Sequence, residues 1–337
     1  MVPRPTPPDA RVVRTLLRMP CEIRIGAPGP PRTATLLITT FFPSAQHAHS
    51  NEIFAAIAQN LLNELIDEVH TLHEIEPGGG GGGGQGGRTV HGALLETAAR
   101  HGRHIRPTVL DKLVVHPWHR QPTYLDLFRF ASERLGRVRT RLVLLANADV
   151  VFDASLALAI RSPAFDSPCF GGYAFPVEHP EASNQVFTSW FGDWGVRRCA
   201  SKKRTMIETG AMVNRCVPPG RSFDAFLFRA PLPRHVVANF SVLTTPEYPR
   251  GVVMNVMAAE HFAGAMFTLA GLVMLNPCRF VHVSHWHCTA KMHAMVRAPN
   301  GTVTSIERGS AAPWSGWIAQ MSWFPPCVSE AACGMVA

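Results

Sequence analysis

Two short segments of this 337-residue sequence combine side chains that bind metal ions or move protons. The first is Asn147-Ala148-Asp149-Val150-Val151-Phe152-Asp153, which follows the apolar run Leu142–Ala146. A carboxylate at the end of such a run suits Mg2+ or Mn2+. These hard ions prefer oxygen ligands and keep water or substrate phosphate in their other positions. Asp149 is the candidate ligand, because a carboxylate this close to a buried strand is costly unless something pairs with it. Asp153 has a competing role as the cap of the helix that follows. The second segment is His282-Val283-Ser284-His285-Trp286-His287-Cys288. Residues two apart in a strand share a face, so His285 and His287 could approach one ion. A zinc site needs three or four nitrogen or sulfur ligands. The cluster therefore stays open between an imidazole contribution to a shared metal and a zinc-dependent hydrolase built on His282, His285, His287 and Cys288.

These side chains do chemistry only if the chain delivers them to one place. The run from Ala34 to Phe42 is apolar, β-branched and stopped by Pro43, which predicts a buried strand. Ser50 can cap the next segment, in which Ile53, Ile57, Leu61 and Leu65 recur every four residues beside Phe54, an amphipathic helix, and Glu68–Glu74 follows as a second strand. Strand, helix, strand is the unit that builds parallel sheets. Thr123–Leu135 repeats its apolar residues at three and four, a helix, and Arg141–Ala146 is a buried strand. Cys169–Phe175 and Asp224–Phe228 read as further strands, Glu260 opens an apolar helix, and Val273–Asn276 and Phe280–His285 close the sheet. We therefore expect one α/β domain over residues 33–290, with a mostly parallel central sheet flanked by helices. Asn147–Asp149 should stand at the carboxyl end of a central strand, where open α/β sheets bind ligands.

Composition bounds the alternatives. Hydrophobic residues make up 46% of the chain and charged residues 17%, against roughly 25% charged in an average soluble protein. That excludes a wholly disordered chain and permits a sizeable core. No apolar run approaches the roughly 20 residues of a membrane span. The net charge of +8 is concentrated in the arginines of the first 34 residues and in the cluster Arg197, Arg198, Lys202, Lys203, Arg204. A solvated tail and a basic loop account for these, so no nucleic-acid partner is expected. Residues 1–32, with eight prolines, read as a flexible basic extension. Gly78–Gly84 with Gln85-Gly86-Gly87 lacks the Lys-Ser/Thr of a phosphate-binding loop and reads as a flexible stretch over 78–87. Residues 291–337 read as a C-terminal tail. The eight cysteines are widely spaced without a CxxC pair, and the N-terminus shows no leader-like apolar block. Free thiols and a cytoplasmic setting are the expectation.

Several segments, in order, resemble a group of family-2-like glycosyltransferases of the GT-A fold found in algae, bacteria and large DNA viruses. They are Ile38-Thr39-Thr40-Phe41-Phe42, Arg120-Gln-Pro-Thr123-Tyr124-Leu-Asp126-Leu-Phe128, Ala146-Asn147-Ala-Asp149-Val-Val-Phe-Asp153, Phe223-Asp224-Ala-Phe-Leu-Phe228, Ala259-Glu260-His261, Asn276-Pro-Cys278 and His285-Trp-His287-Cys288. The resemblance spans about 33 to 290 with gaps. It implies a GT-A-like sheet, a nucleotide-sugar donor, a divalent metal on the Asn147-Ala-Asp149 motif and a C-terminal histidine near that metal.

Under that resemblance the residues acquire roles. Asp149, with His287 ahead of His285, would hold Mn2+ or Mg2+. Thr39, Thr40, Arg120, Thr123, Tyr124 and Asn147 would bind the nucleotide sugar, Arg120 through a phosphate or the base and Tyr124 by stacking or by packing alone. Asp224 or Glu260 would take the proton of the acceptor hydroxyl, against the alternatives of a strand-edge hydrogen bond for Asp224 and first-turn helix stabilisation for Glu260. The acceptor would be a glycan, protein or lipid hydroxyl. The sequence departs from the group where His261-Phe262 follow Glu260, where Ser222-Phe223 precede Asp224 and where Pro176-Val177 follow the strand near Gly172. An inactive homologue that acts as a binding protein is therefore a second expectation.

Overall fold

The computed structural model describes residues 34–40, 47–74, 90–100, 104–119, 122–136, 141–176, 223–242, 259–285, 294–297, 303–306, 333 and 335. Its strands in chain order are β1 (Ala34–Thr40), β2 (Ile66–Glu74), β3 (Leu113–Trp118), β4 (Arg141–Ala146), β5 (Val150–Phe152), β6 (Phe170–Pro176), β7 (Phe223–Ala230), β8 (Val273–Leu275), β9 (Val283–His285), β10 (Ala294–Arg297) and β11 (Val303–Ile306). Its helices are α1 (His47–Leu62), α2 (Val90–Arg100), α3 (Pro107–Leu110), α4 (Tyr124–Phe130), α5 (Leu156–Ile160), α6 (Arg234–Val242) and α7 (Ala259–Leu269). The extension 1–32, the glycine run 78–87, the basic cluster 197–204, Arg120, His287 and Cys288 lie outside the described residues.

Seven strands form one sheet in the order β3-β2-β1-β4-β7-β6-β8. β1 pairs in parallel with β2 and β4, β2 with β3, and β6 with β8. β7 alone is reversed, antiparallel to both β4 and β6. The sheet is mostly parallel and is covered on both faces, which explains why β4 reads as a continuous apolar run. On one face Leu36, Ile38, Leu144 and Ala146 meet α1, α2 and α5 through Ile53, Ile57, Leu61, Leu94 and Ile160. On the other, Leu37, Val143, Leu145, Phe226 and Phe228 meet α4, α6 and α7 through Leu127, Phe128, Val236, Ala263 and Phe267. Alternation along β4 and β7 sends successive residues to opposite layers. Position 172 must be glycine where β6 passes β7: its φ is +142°, and a Cβ there would stand 2.1 Å from the Leu227 carbonyl oxygen.

Three expectations are corrected. Phe280–His285 does not close the main sheet. Only Val283–His285 is a strand, and it forms a separate antiparallel ribbon with β5, because the turn at Pro277 redirects the chain through Phe280 N–H to Pro277 O at 2.8 Å. α1 begins at His47, so Ser50 lies inside its first turn and not at its cap. The apolar stripe fixes which face is buried, not where the first turn starts. The thiols are not free either: Cys169, Cys278 and Cys333, the cysteines among the described residues, are all disulfide-bonded. Wide spacing along the chain says nothing about proximity in the fold, and the ground for expecting a reducing, cytoplasmic setting falls with it. Cys333 and Met335 are buried in the first layer, and the Tyr173 hydroxyl donates to the Cys333 carbonyl at 2.6 Å. No helix among the described residues is long and apolar enough to cross a membrane.

Candidate functional site

The strand order reverses between β1 and β4, since β2 and β3 lie to one side and the remaining strands to the other. At such a point the connections leave on opposite faces and open a crevice at the carboxyl ends of the strands. β1 delivers the backbone of Thr39 and Thr40 there, in register with Leu72 and His73 of β2. β4 ends at Ala146 and delivers Asn147-Ala148-Asp149. The reversed β7 begins at the same end: Ala146 faces Ala225, and the Asn147 N–H donates to the Asp224 carbonyl at 3.2 Å. The Asn147 amide Nδ2 also lies 3.4 Å from Asp224 Oδ1. Asn147, Asp149, Asp224 and Glu260 are all buried.

α4 adds Thr123 and Tyr124 from the second layer. The Thr123 hydroxyl accepts from the Asp126 N–H at 3.2 Å, while the Asp126 carboxylate accepts from the Thr123 N–H at 2.9 Å. This reciprocal cap fixes the start of the helix and occupies the Thr123 side chain. The Tyr124 ring is 1% exposed and packs between Phe128 and Phe226, at centroid distances of 6.2 and 6.5 Å. Phe226 stands two residues after Asp224 on β7, so the two share a face. Glu260 opens α7 on that side of the sheet. Burial first, then the charges of Glu260 and Asp224, push the Tyr124 hydroxyl well above the ordinary tyrosine range. It stays protonated.

Asp149 sits in the turn between β4 and β5, where the Val150 N–H donates to the Asn147 carbonyl at 3.2 Å. The β5–β9 ribbon pairs Val150 with His285. The backbone of His285 thus lies across from the residue after Asp149, although the two segments are far apart in sequence. Among the described residues no three His, Cys, Asp or Glu side chains group as a metal site would. Asp153 is not the cap of α5, whose cap position is Ser155 and which has no side-chain cap; its Oδ1 instead accepts from the Ser155 N–H at 2.8 Å and from the Ser155 hydroxyl in the turn before the helix. Ser155 Oγ in turn accepts from the His282 N–H at 2.8 Å, tying the approach to β9 to the start of α5.

Two positioning residues were not singled out from sequence. Asn60 of α1 is fully buried; its Nδ2 donates to the Val150 carbonyl at 2.7 Å and its Oδ1 accepts from the Phe152 N–H at 3.2 Å. Asn63 donates to the Phe152 carbonyl at 2.9 Å. Together they satisfy one edge of β5 while β9 satisfies the other. The available signal was an amide inside an apolar helical stripe, which must find hydrogen-bond partners.

A separate polar cluster crosses β2, β3 and β4. His70 Nδ1 lies 2.9 Å from His116 Nε2, His70 Nε2 lies 3.2 Å from Glu68 Oε2, and Arg141 pairs with the same carboxylate oxygen. The two imidazoles are stacked at 5.2 Å, and His116 meets the edge of Phe130 at 4.6 Å.

No protein-family model matches the chain, and no curated protein matches it. Solved structures do match, among them the mannosyltransferase PcManGT from Pyrobaculum calidifontis in complex with GDP-Man and Mn2+, at 14% identity and a TM-score of 0.41. The match covers 83% of this chain and 63% of that one, so the chain spans less than two thirds of that enzyme's length.

Proposed function

We propose that this chain is a glycosyltransferase that moves a sugar from a nucleotide-sugar donor to an acceptor hydroxyl. One observation carries the proposal. A buried carboxylate, Asp149, follows the central strand at the sheet's reversal point, and a second buried carboxylate, Asp224, begins the neighbouring strand beside Asn147. That is where an open α/β sheet binds a nucleotide, and two carboxylates in one crevice offer two different tasks.

Asp149 is the residue we assign to a divalent ion, with an imidazole from the end of β9 as its companion. The residues present fit Mn2+ or Mg2+. Asp149 supplies a carboxylate, the buried Asn147 Oδ1 lacks a partner among the described residues, and such ions need only one or two protein ligands beside phosphate and water. A bound ion would offset charge on the leaving diphosphate. Thr39 and Thr40 end β1 where the nucleotide would lie, and Arg120 is assigned to a phosphate. In an inverting transfer the acceptor oxygen bonds to the sugar's anomeric carbon as the bond to the diphosphate oxygen breaks. Asp224 takes the acceptor's proton, or Glu260 in its place. Asn147 orients Asp224 for that role.

A panel of nucleotide sugars with and without Mn2+, read by melting temperature and by donor turnover, tests the proposal. A bound donor at 100 times its dissociation constant should add about 2.7 kcal/mol of stability. Binding without turnover on any acceptor or water would favour the inactive homologue. No response to any member would remove the transferase reading.

A further inference from the structure

Ser155 stands at the cap position immediately before α5, where a serine hydroxyl ordinarily accepts from the free N–H groups of its own helix. Here it makes no such cap. The hydroxyl is directed away from the helix. It donates to Asp153 Oδ1 and accepts from the His282 N–H at 2.8 Å. The same Asp153 oxygen accepts from the Ser155 N–H at 2.8 Å. A hydroxyl has one proton, and once that proton is given to the carboxylate a lone pair is left to face His282. α5 forgoes a stabilising cap, and the fold gains a bond between the end of β5 and the residue before β9, 127 positions along the chain.

That junction needs a bond because the apolar pattern of β9 leaves its register open. The ribbon has three pairs: Phe152 with Val283, Val151 with Ser284 and Val150 with His285. A slip of one residue would trade buried Val283 for Ser284, which the core resists. A slip of two would not. Val281 and Val283 are both buried and have the same parity, so Val281 could take the place of Val283 and keep a valine against the core. The slip would carry His285 about 7 Å past the Asp149 turn, far beyond ligand bonds of about 2.1 Å. The turn before β9, closed by the Val281 N–H to Pro277 O at 3.0 Å, shapes the approach but does not set where β9 docks. Asn60 and Asn63 bind β5 only. Ser155 joins the two strands.

We propose that Ser155, oriented by Asp153, is a positioning residue: it sets the register of β9 on β5 and so delivers the imidazole at the end of β9 to the ion assigned to Asp149. The role at the ion rests on the transferase reading above; the register bond does not.

Two readouts on the full chain test it. Amide hydrogen exchange without ligand reads the bond itself. Ser155→Ala should exchange about 3–10-fold faster at His282 and along β9, the worth of a net hydrogen bond, while β4 and β7 keep wild-type rates. The second readout is the Mn2+ concentration that half-saturates the melting-temperature rise at a fixed concentration of the effective nucleotide sugar. It should move about 3–10-fold upward in Ser155→Ala, by less in Asp153→Ala, and back to near wild type in Ser155→Thr, which keeps the hydroxyl. Val236→Ala, buried on the other face of the sheet, should lower the melting temperature without moving that concentration, which separates positioning from loss of stability. Wild-type exchange in Ser155→Ala would overturn the register bond. Faster exchange with an unmoved Mn2+ requirement, or an equal move in Val236→Ala, would overturn its role at the ion. A wild type with no Mn2+-dependent response to any nucleotide sugar would overturn the transferase reading and that role together, and the exchange rates tell this failure from the others.

Discussion

Burial keeps His70 and His116 neutral at pH 7. For both, loss of hydration is the leading effect and holds the imidazole below its usual range. For Glu68, burial alone would raise the value, but the hydrogen bonds and charges of Arg141 and His70 outweigh it and leave the carboxyl lowered. The signs agree. As pH falls through about 6.5 the unfolded chain takes up protons that folded His70 and His116 refuse, so stability drops. The Glu68 contribution is present above its unfolded value and is lost as pH falls through its lower folded value. Denaturant midpoints should therefore decline steadily from pH 7 to pH 4, and a His70→Gln/His116→Gln variant should show a shallower decline between 7 and 5. A midpoint that is flat or rises on acidification would contradict this. None of it was legible beforehand. His70 and His116 belong to different strands, and their contact depends on the β2–β3 register.

Elements were easier to read than their directions. β1, α1, β2 and β4 announced themselves through apolar periodicity, since each buries a defined face. The position of Asn147–Asp149 at a central carboxyl end followed from that pattern. The reversal of β7 did not, because alternation is the same whichever way a strand runs. The β5–β9 ribbon was hidden for a related reason: three-residue strands carry too little pattern to name a partner far along the chain. The ribbon nevertheless sets the turn that holds Asp149. Asn60→Ala should expose its importance. It strands the Val150 carbonyl and the Phe152 N–H without partners in the core, a loss of about 2–4 kcal/mol. We expect a lower denaturant midpoint, together with weaker Mn2+-dependent donor binding by the folded fraction. A variant as stable as wild type would show that β9 alone holds β5 in place.

At the scale of the molecule, the covalent links run against the sequence expectation. Three disulfide-bonded cysteines cannot share one bond, so at least two cross-links are present. Each typically stabilises a fold by about 2–4 kcal/mol by constraining the unfolded chain. One of the three, Cys333, lies in the stretch that the sequence suggested was a tail, yet it and Met335 are buried in the core. Alkylation of denatured, unreduced protein should leave Cys169, Cys278 and Cys333 unlabelled. Reduction should lower the melting temperature by roughly 10 °C or more. Labelling of all three without reductant would contradict the cross-linked fold.

The central claim is that the crevice at the end of β4 takes a nucleotide sugar through Asp149. The most direct measurement is the melting temperature of wild type and Asp149→Ala across the nucleotide-sugar panel, with and without Mn2+. The account predicts that wild type rises only when donor and Mn2+ are both present. Asp149→Ala should remain folded without ligand and should lose the rise. An Asp149→Ala protein that keeps the full Mn2+-dependent rise would contradict the claim.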